Sequence, residues 1–160
     1  MENSLITEYG YKNFVKEFKN LAQIEKPYWV KEKEIAAQHG DRSENAEYIS
    51  AKEQIRNIDK RLRFLEKIIN NTKVIETTKI PHDKVNFGSK VILENLDTEQ
   101  TKEYIIVGTF ETNPSNNFIS NISPLGRVLL GKKVGDEFEF EINNETVEYE
   151  VLKVEMYNFE

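Results

Sequence analysis

Asp41 and Glu44 stand three residues apart in the stretch Gly40-Asp41-Arg42-Ser43-Glu44-Asn45-Ala46-Glu47-Tyr48, between two long helical patterns. Two carboxylates at that spacing suit a hard cation such as Mg²⁺. That ion commonly takes one or two carboxylates and fills its remaining positions with water and phosphate oxygens. Two carboxylates do not complete such a site, so the other ligands would belong to a partner. The same spacing also reads as a capping box, with Asp41 as N-cap and Glu44 three residues on, where acids favour a helix N-terminus. Both readings claim the same oxygens, and one carboxylate can cap while the other reaches outward.

A second constellation is basic. Lys52, Arg56, Lys60, Arg63 and Lys67 recur every three or four residues, so they share one face of a helix, with Glu53, Asp59 and Glu66 off that stripe. Such a line is either an ordinary solvated face or an electrostatic track for a phosphate backbone. Other chemistry finds less support. Gly126 to Lys133 comes near a phosphate-binding loop, but Lys133 stands where that loop needs Ser or Thr for Mg²⁺. His39 and His82 are too far apart to suggest a zinc site, and no G-x-S-x-G nucleophile motif occurs. The chain has no cysteine, which excludes disulfides and thiolate metal sites.

Helices must position both constellations. Thr7 can cap a helix starting near Glu8, along which Phe14, Phe18, Leu21, Tyr28 and Ile35 recur at helical spacing, until Gly40 ends the run. Pro27 should bend that helix or remove one of its hydrogen bonds. Tyr48, Ala51, Ile55, Ile58, Leu62, Leu65 and Ile69 then alternate steps of three and four, an apolar seam held for three heptads. Two helices with one seam each, joined by a short turn, predict an antiparallel coiled-coil hairpin about 42 Å long for roughly 28 residues. The carboxylate pair falls at its turn, where residues contribute least to stability.

After residue 72 the period changes to two. Strands are expected over Lys73–Glu76, Ser89–Asn95, Glu103–Phe110, Phe118–Ile122, Glu137–Ile142 and Thr146–Glu155, with Asn143-Asn144 as a tight hairpin turn. Ser123-Pro124 opens a short helix that Gly131 ends. The expectation is therefore an α+β chain: a coiled-coil hairpin over 1–76 and a small β-sheet domain with one short helix over 77–160, linked through Thr77–Phe87. Residues 1–75 carry 14 Lys+Arg and 12 Asp+Glu, whereas residues 76–160 carry 8 and 16, so a mildly basic part precedes a strongly acidic one. Different partners for the two parts is the simplest reading. No signal-peptide pattern or membrane-length apolar run occurs, which makes a cytoplasmic protein without membrane association the default expectation, and a monomer is expected.

Three stretches carry a resemblance to the bacterial Gre transcript-cleavage factors. They are GDRSENAEY at 40–48, NIDKRLRFLEKIINNTKVIE at 57–76 and SPLGRVLLGKKVGDE at 123–137. The tip wording and Glu25-Lys26-Pro27 before it look closer to the GreB type. The resemblance implies an FKBP-like fold for the second domain, and a factor that is not itself an enzyme. The globular domain would dock at the rim of the secondary channel of bacterial RNA polymerase. The hairpin would enter that channel and stimulate the polymerase's own cleavage of the 3′ end of backtracked RNA. Asp41 and Glu44 would hold a Mg²⁺ jointly with the polymerase, supported by Ser43, Asn45 and Tyr48. Lys52, Arg56, Lys60 and Arg63 would contact the extruded RNA, and Ser123, Pro124 and Leu125 would dock on the polymerase. The alternatives are an inhibitor sharing the fold, a prolyl isomerase, and a coiled-coil adaptor without chemistry.

Overall fold

The computed structural model describes residues 4–40 and 44–160. Two compact units emerge, Met1–Gly10 together with Thr72–Glu160, and Tyr11–Asn71. The second of these is helical. Helix α1 (Glu8–Asn20) passes through a π-helical turn, Leu21–Glu25, into α2 (Lys26–Ala37), and α3 (Ala46–Asn71) runs back. Side chains link the helices: Arg61 on α3 grips Glu17 on α1 with two hydrogen bonds of 2.7 and 2.8 Å. Nearer the turn, Lys26 pairs with Asp59 at 2.7 Å. Arg61's guanidinium holds the Glu17 carboxyl below its ordinary value.

The seam of α3 is as expected. Ala51, Ile58 and Leu65, seven residues apart, are buried, while Tyr48, Ile55, Leu62 and Ile69 between them are half-buried. The seam of the first helical run is not. Tyr28 and Ile35 are 55% and 41% exposed, and the face turned inward carries half-buried Trp29 and buried Ala36. The π turn is the reason. The Lys26 N–H bonds to the Leu21 carbonyl, five residues back, which adds one residue to the turn and moves every later position about 100° round the axis. Pro27, which lacks an N–H and whose ring crowds the carbonyl four residues before it, follows directly.

The first unit is built on strands. Strand β1 (Ser4–Thr7), which the sequence did not announce, pairs parallel with β2 (Thr72–Ile75), from Ser4 opposite Thr72 to Thr7 opposite Ile75. Thr7 then caps α1 as expected, its Oγ1 accepting the Gly10 N–H at 3.0 Å. Glu111 secures the same spot. Its carboxylate accepts the Thr7 N–H and the Gly108 N–H, each at 3.0 Å, and the Thr7 hydroxyl donates to its other oxygen. The approach is so close that a Cβ on Gly108 would lie 1.9 Å from the Leu5 carbonyl oxygen.

The main sheet contains β3 (Ser89–Asn95), β4 (Thr101–Val107), β5 (Phe118–Ser120), β6 (Glu137–Ile142) and β7 (Glu145–Met156), in the order β5-β4-β3-β7-β6. All pairs are antiparallel except β4 with β5. Asn143 and Asn144 both have positive φ, as a two-residue primed turn requires. The core gathers Val85, Phe87, Val91, Leu93, Ile106, Leu129, Tyr149 and Val151. Val85 and Phe87 therefore bury part of the expected linker, and His82 ties it down between the Ser89 hydroxyl (2.6 Å) and the Thr77 carbonyl (2.7 Å). On β6, Phe138 and Phe140 pack against the core while the alternate Glu residues point away. Across the ladder Glu137 faces Glu150 and Glu139 faces Glu148, and Glu150 also faces Glu94 on β3. Short helix α4 (Pro124–Leu129) begins as expected, with the Ser123 hydroxyl accepting the Gly126 N–H at 3.1 Å.

Candidate functional site: the hairpin turn and its basic face

The turn starts where α2 runs out. The Gln38 and His39 N–H groups close back on the carbonyls of Ile35 and Ala36, and Gly40 takes a positive φ of 141°, where a side chain would be strained. Of the expected tip residues, Asp41 and Ser43 lie outside the described residues. Glu44, Asn45 and Tyr48 are described. The N-cap of α3 is Asn45: its Oδ1 accepts the Tyr48 N–H at 3.1 Å. Its Nδ2 donates to the Ala36 carbonyl at 2.6 Å, so one side chain closes both the start of α3 and the end of α2. The described cap of α3 is therefore Asn45, one residue after Glu44.

Glu44 is exposed and, with His39, Gly40, Asn45, Ala46 and Glu47, lines an open concavity at the turn. Among the described residues no group of three or more His, Asp or Glu is placed to hold a metal ion. The described carboxylates at the turn, Glu44 and Glu47, are exposed, a donor type compatible with a hard cation.

The basic face sits on α3. Lys52, Arg56, Lys60, Arg63 and Lys67 are all exposed. Glu53 does not stay off the stripe, however. It reaches back three residues and ion-pairs with Arg56, and Arg56 holds the Glu53 carboxyl below its ordinary value, with help from Lys60. Lys52 lies over the Tyr48 ring, 5.5 Å from its centre. Lys33, absent from the sequence reading, joins this face from α2, where it and Asp59 line a hollow with Lys52, Ile55, Arg56 and Arg63. Locating it needed the register of α2, which the π turn had shifted.

Of the expected docking residues, Ser123 is half-buried and serves as the cap of α4. Leu125 is half-buried and packs against the core. The exposed apolar residues there are Pro124 and Ile122, the latter 54% exposed.

Two family models match the chain. Residues 4–74 match the N-terminal model of a transcription elongation factor, and residues 80–156 match the C-terminal model named for GreA/GreB. The chain belongs to the GreA/GreB family of transcription elongation factors. It is 45% identical over 154 residues to "Transcription elongation factor GreA" of Wolinella succinogenes, covering 96% of this chain and 95% of that one. To the GreA of Helicobacter hepaticus it is 42% identical, covering 96% and 94%. The GreB leaning of the tip wording is corrected by these relatives, since one short word is outweighed by 154 aligned residues. Among solved structures, GreA factor homolog 1 of Thermus thermophilus aligns over 96% of this chain and 99% of its own, with 22% identity and a TM-score of 0.44. Family membership agrees with a non-enzymatic accessory factor of transcription, and no helix among the described residues is long and apolar enough to cross a membrane.

Proposed function

We propose that this GreA-type factor brings the turn of its helical hairpin into the secondary channel of bacterial RNA polymerase and stimulates cleavage of the 3′ end of backtracked RNA. The observation that supports this reading is the capping of α3 by Asn45, which leaves Glu44 exposed and without a hydrogen bond or ion pair among the described residues. Such a carboxylate is available to a metal site that a partner completes.

A Mg²⁺ shared with the polymerase would there lower the barrier to phosphodiester hydrolysis by supporting the attacking and leaving oxygens. Asp41 and Glu44 would contribute two of its ligands. Asn45 holds the end of α2 to the start of α3 and keeps Glu44 in place. The exposed cations of α3 would receive the displaced RNA, whose phosphates need positive charge and no particular sequence. Ile122 and Pro124, exposed beside the cap of α4, are the apolar residues that would dock on the polymerase. The acidic character of the second part of the chain favours a basic partner surface there.

The test is transcript cleavage in a stalled elongation complex. The wild-type chain should shorten the RNA, while Asp41→Asn and Glu44→Gln should bind the polymerase and leave the RNA intact. Purified protein alone should not cut naked RNA. Equal cleavage by the Glu44→Gln variant and the wild type would refute the role of the turn.

A further inference from the structure

The hollow between α2 and α3 measures about 250 Å³. That is smaller than the roughly 300 Å³ at which pockets begin to enclose whole small molecules. It suits one unit of a longer chain lying across it. Four of its lining residues, Lys33, Lys52, Arg56 and Arg63, are cations drawn from both helices. Its one acid, Asp59, is already occupied by Lys26 at 2.7 Å. The four cations are not equivalent. Arg56 is ion-paired with Glu53, whereas Lys33 and Arg63 make no ion pair among the described residues. Lys52 rests on the Tyr48 ring, an arrangement that leaves its ammonium group accessible.

We propose that Glu53 masks Arg56 from phosphate, so that Lys33 of α2, together with Lys52 and Arg63, holds the RNA backbone in this hollow. The inference rests on the RNA-binding reading of the basic face given above. Its physical content is a charge balance. A cation already paired with a carboxylate neutralises a phosphate only by giving up that partner, so it adds little to the release of the RNA's condensed counterions that drives binding. Arg56 and Glu53 sit three residues apart on α3, where opposite charges attract across one helical turn. Lys33 stands across the hollow from α3, so a phosphate placed there meets positive charge from two sides. Glu53 then acts as a positioning residue that sets how strongly the face holds RNA.

The experiment measures binding of a short, fluorescently labelled single-stranded RNA to the full chain by anisotropy, across 50 to 200 mM salt. Lys33→Gln should weaken binding and lower the slope of log K against log salt by about 0.7, the share of one phosphate contact on a single strand. Arg56→Gln alone should weaken binding less than Lys33→Gln. Glu53→Gln should tighten binding about twofold, the scale of an exposed ion pair within one helix, and steepen the slope by up to about 0.7. A purely structural role for Glu53 would leave that slope unchanged. Adding Arg56→Gln to Glu53→Gln should abolish the gain, and circular dichroism confirms that each variant keeps its helices. If Glu53→Gln leaves affinity and slope unchanged while Arg56→Gln weakens binding as much as Lys33→Gln, masking is wrong and the RNA-binding face stands. If the wild type does not bind, or Lys33→Gln, Lys52→Gln and Arg63→Gln all bind as it does, the RNA-binding reading itself fails and masking with it.

Discussion

Replacing Asn45 separates two jobs that one side chain performs. In Asn45→Ala both the cap on the Tyr48 N–H and the bond to the Ala36 carbonyl disappear. Loss of an N-cap costs about 1 kcal/mol. Loss of a hydrogen bond from a half-buried side chain to a backbone carbonyl costs about another 1 kcal/mol. Asn45→Ala should therefore lose about 2 kcal/mol, close to a thirtyfold rise in opening of the turn. Asn45→Ser keeps an acceptor that caps about as well as Asn, but it is too short and has the wrong chemistry to replace the amide bond to Ala36. It should lose only about 1 kcal/mol. Native-state hydrogen exchange is the assay, read at Ile49, whose N–H bonds to the Asn45 carbonyl at 3.0 Å in the first turn of α3. Amides near Leu65 serve as the internal reference, since that seam residue is buried far along the helix. Protection at Ile49 should fall in the order wild type, Ser, Ala, with little change near Leu65. Transcript cleavage at limiting protein should fall in the same order. Ala and wild type with equal protection would refute the double role, and Ser falling as far as Ala would show that the cap contributes nothing.

Other outcomes follow from the β-rich unit. Gly108→Ala should destabilise it by about 1–3 kcal/mol in urea denaturation, because the new methyl group meets backbone of β1 that has no rotamer to escape through; unchanged stability would mean that β1 shifts freely. Glu139→Lys should stabilise by up to about 1 kcal/mol at low salt, since it turns a like-charged cross-strand pair with Glu148 into an attractive one, and the gain should shrink in 1 M salt. Burial pushes the Glu111 carboxyl above its ordinary value of 4.5, against the hydrogen bonds from Thr7 and Gly108. A carboxyl raised in the folded state binds its proton there more readily than in the unfolded chain. Wild-type stability measured relative to Glu111→Gln should thus be highest below pH 4.5 and fall as pH rises through the folded value. A difference that grows with pH would show that the three hydrogen bonds outweigh burial.

Legibility varied with the range of the interactions involved. The α3 seam and the strands Ser89–Asn95 and Glu137–Ile142 were readable to the residue, because each is set by a local period that burial enforces. Strand β1 was not, since four residues ahead of a helix become a strand only by pairing with β2, some seventy residues on. The inner face of α2 was misassigned because an unbroken 3.6-residue period was carried through Leu21–Glu25, where the ladder changes to five-residue bonds. Pro27 signalled a disturbance but not its sense. At the turn, Asn45 is a good cap by type, and only the observed start of α3 at Ala46 showed that it serves as one. The basic stripe was legible as a face, but the Arg56–Glu53 pairing was not, because a rotamer settles it.

The π turn makes the hydrogen-bond ladder before Pro27 a rotational variable. Closing the ordinary four-residue ladder through Leu21–Glu25 with every residue kept would swing all of α2 by about 100°, bringing Tyr28 and Ile35 toward α3 and turning Trp29 and Ala36 away. Lys33 would leave the hollow with them, and Asn45 would find a different carbonyl opposite its amide. Removing one residue from Leu21–Glu25 would instead restore the ladder and leave the inner face of α2 where it is. A helix ordinarily tolerates substitution better than a change of length, and this segment reverses that order, because its extra residue works as a gear tooth between the base of the hairpin and its acidic end.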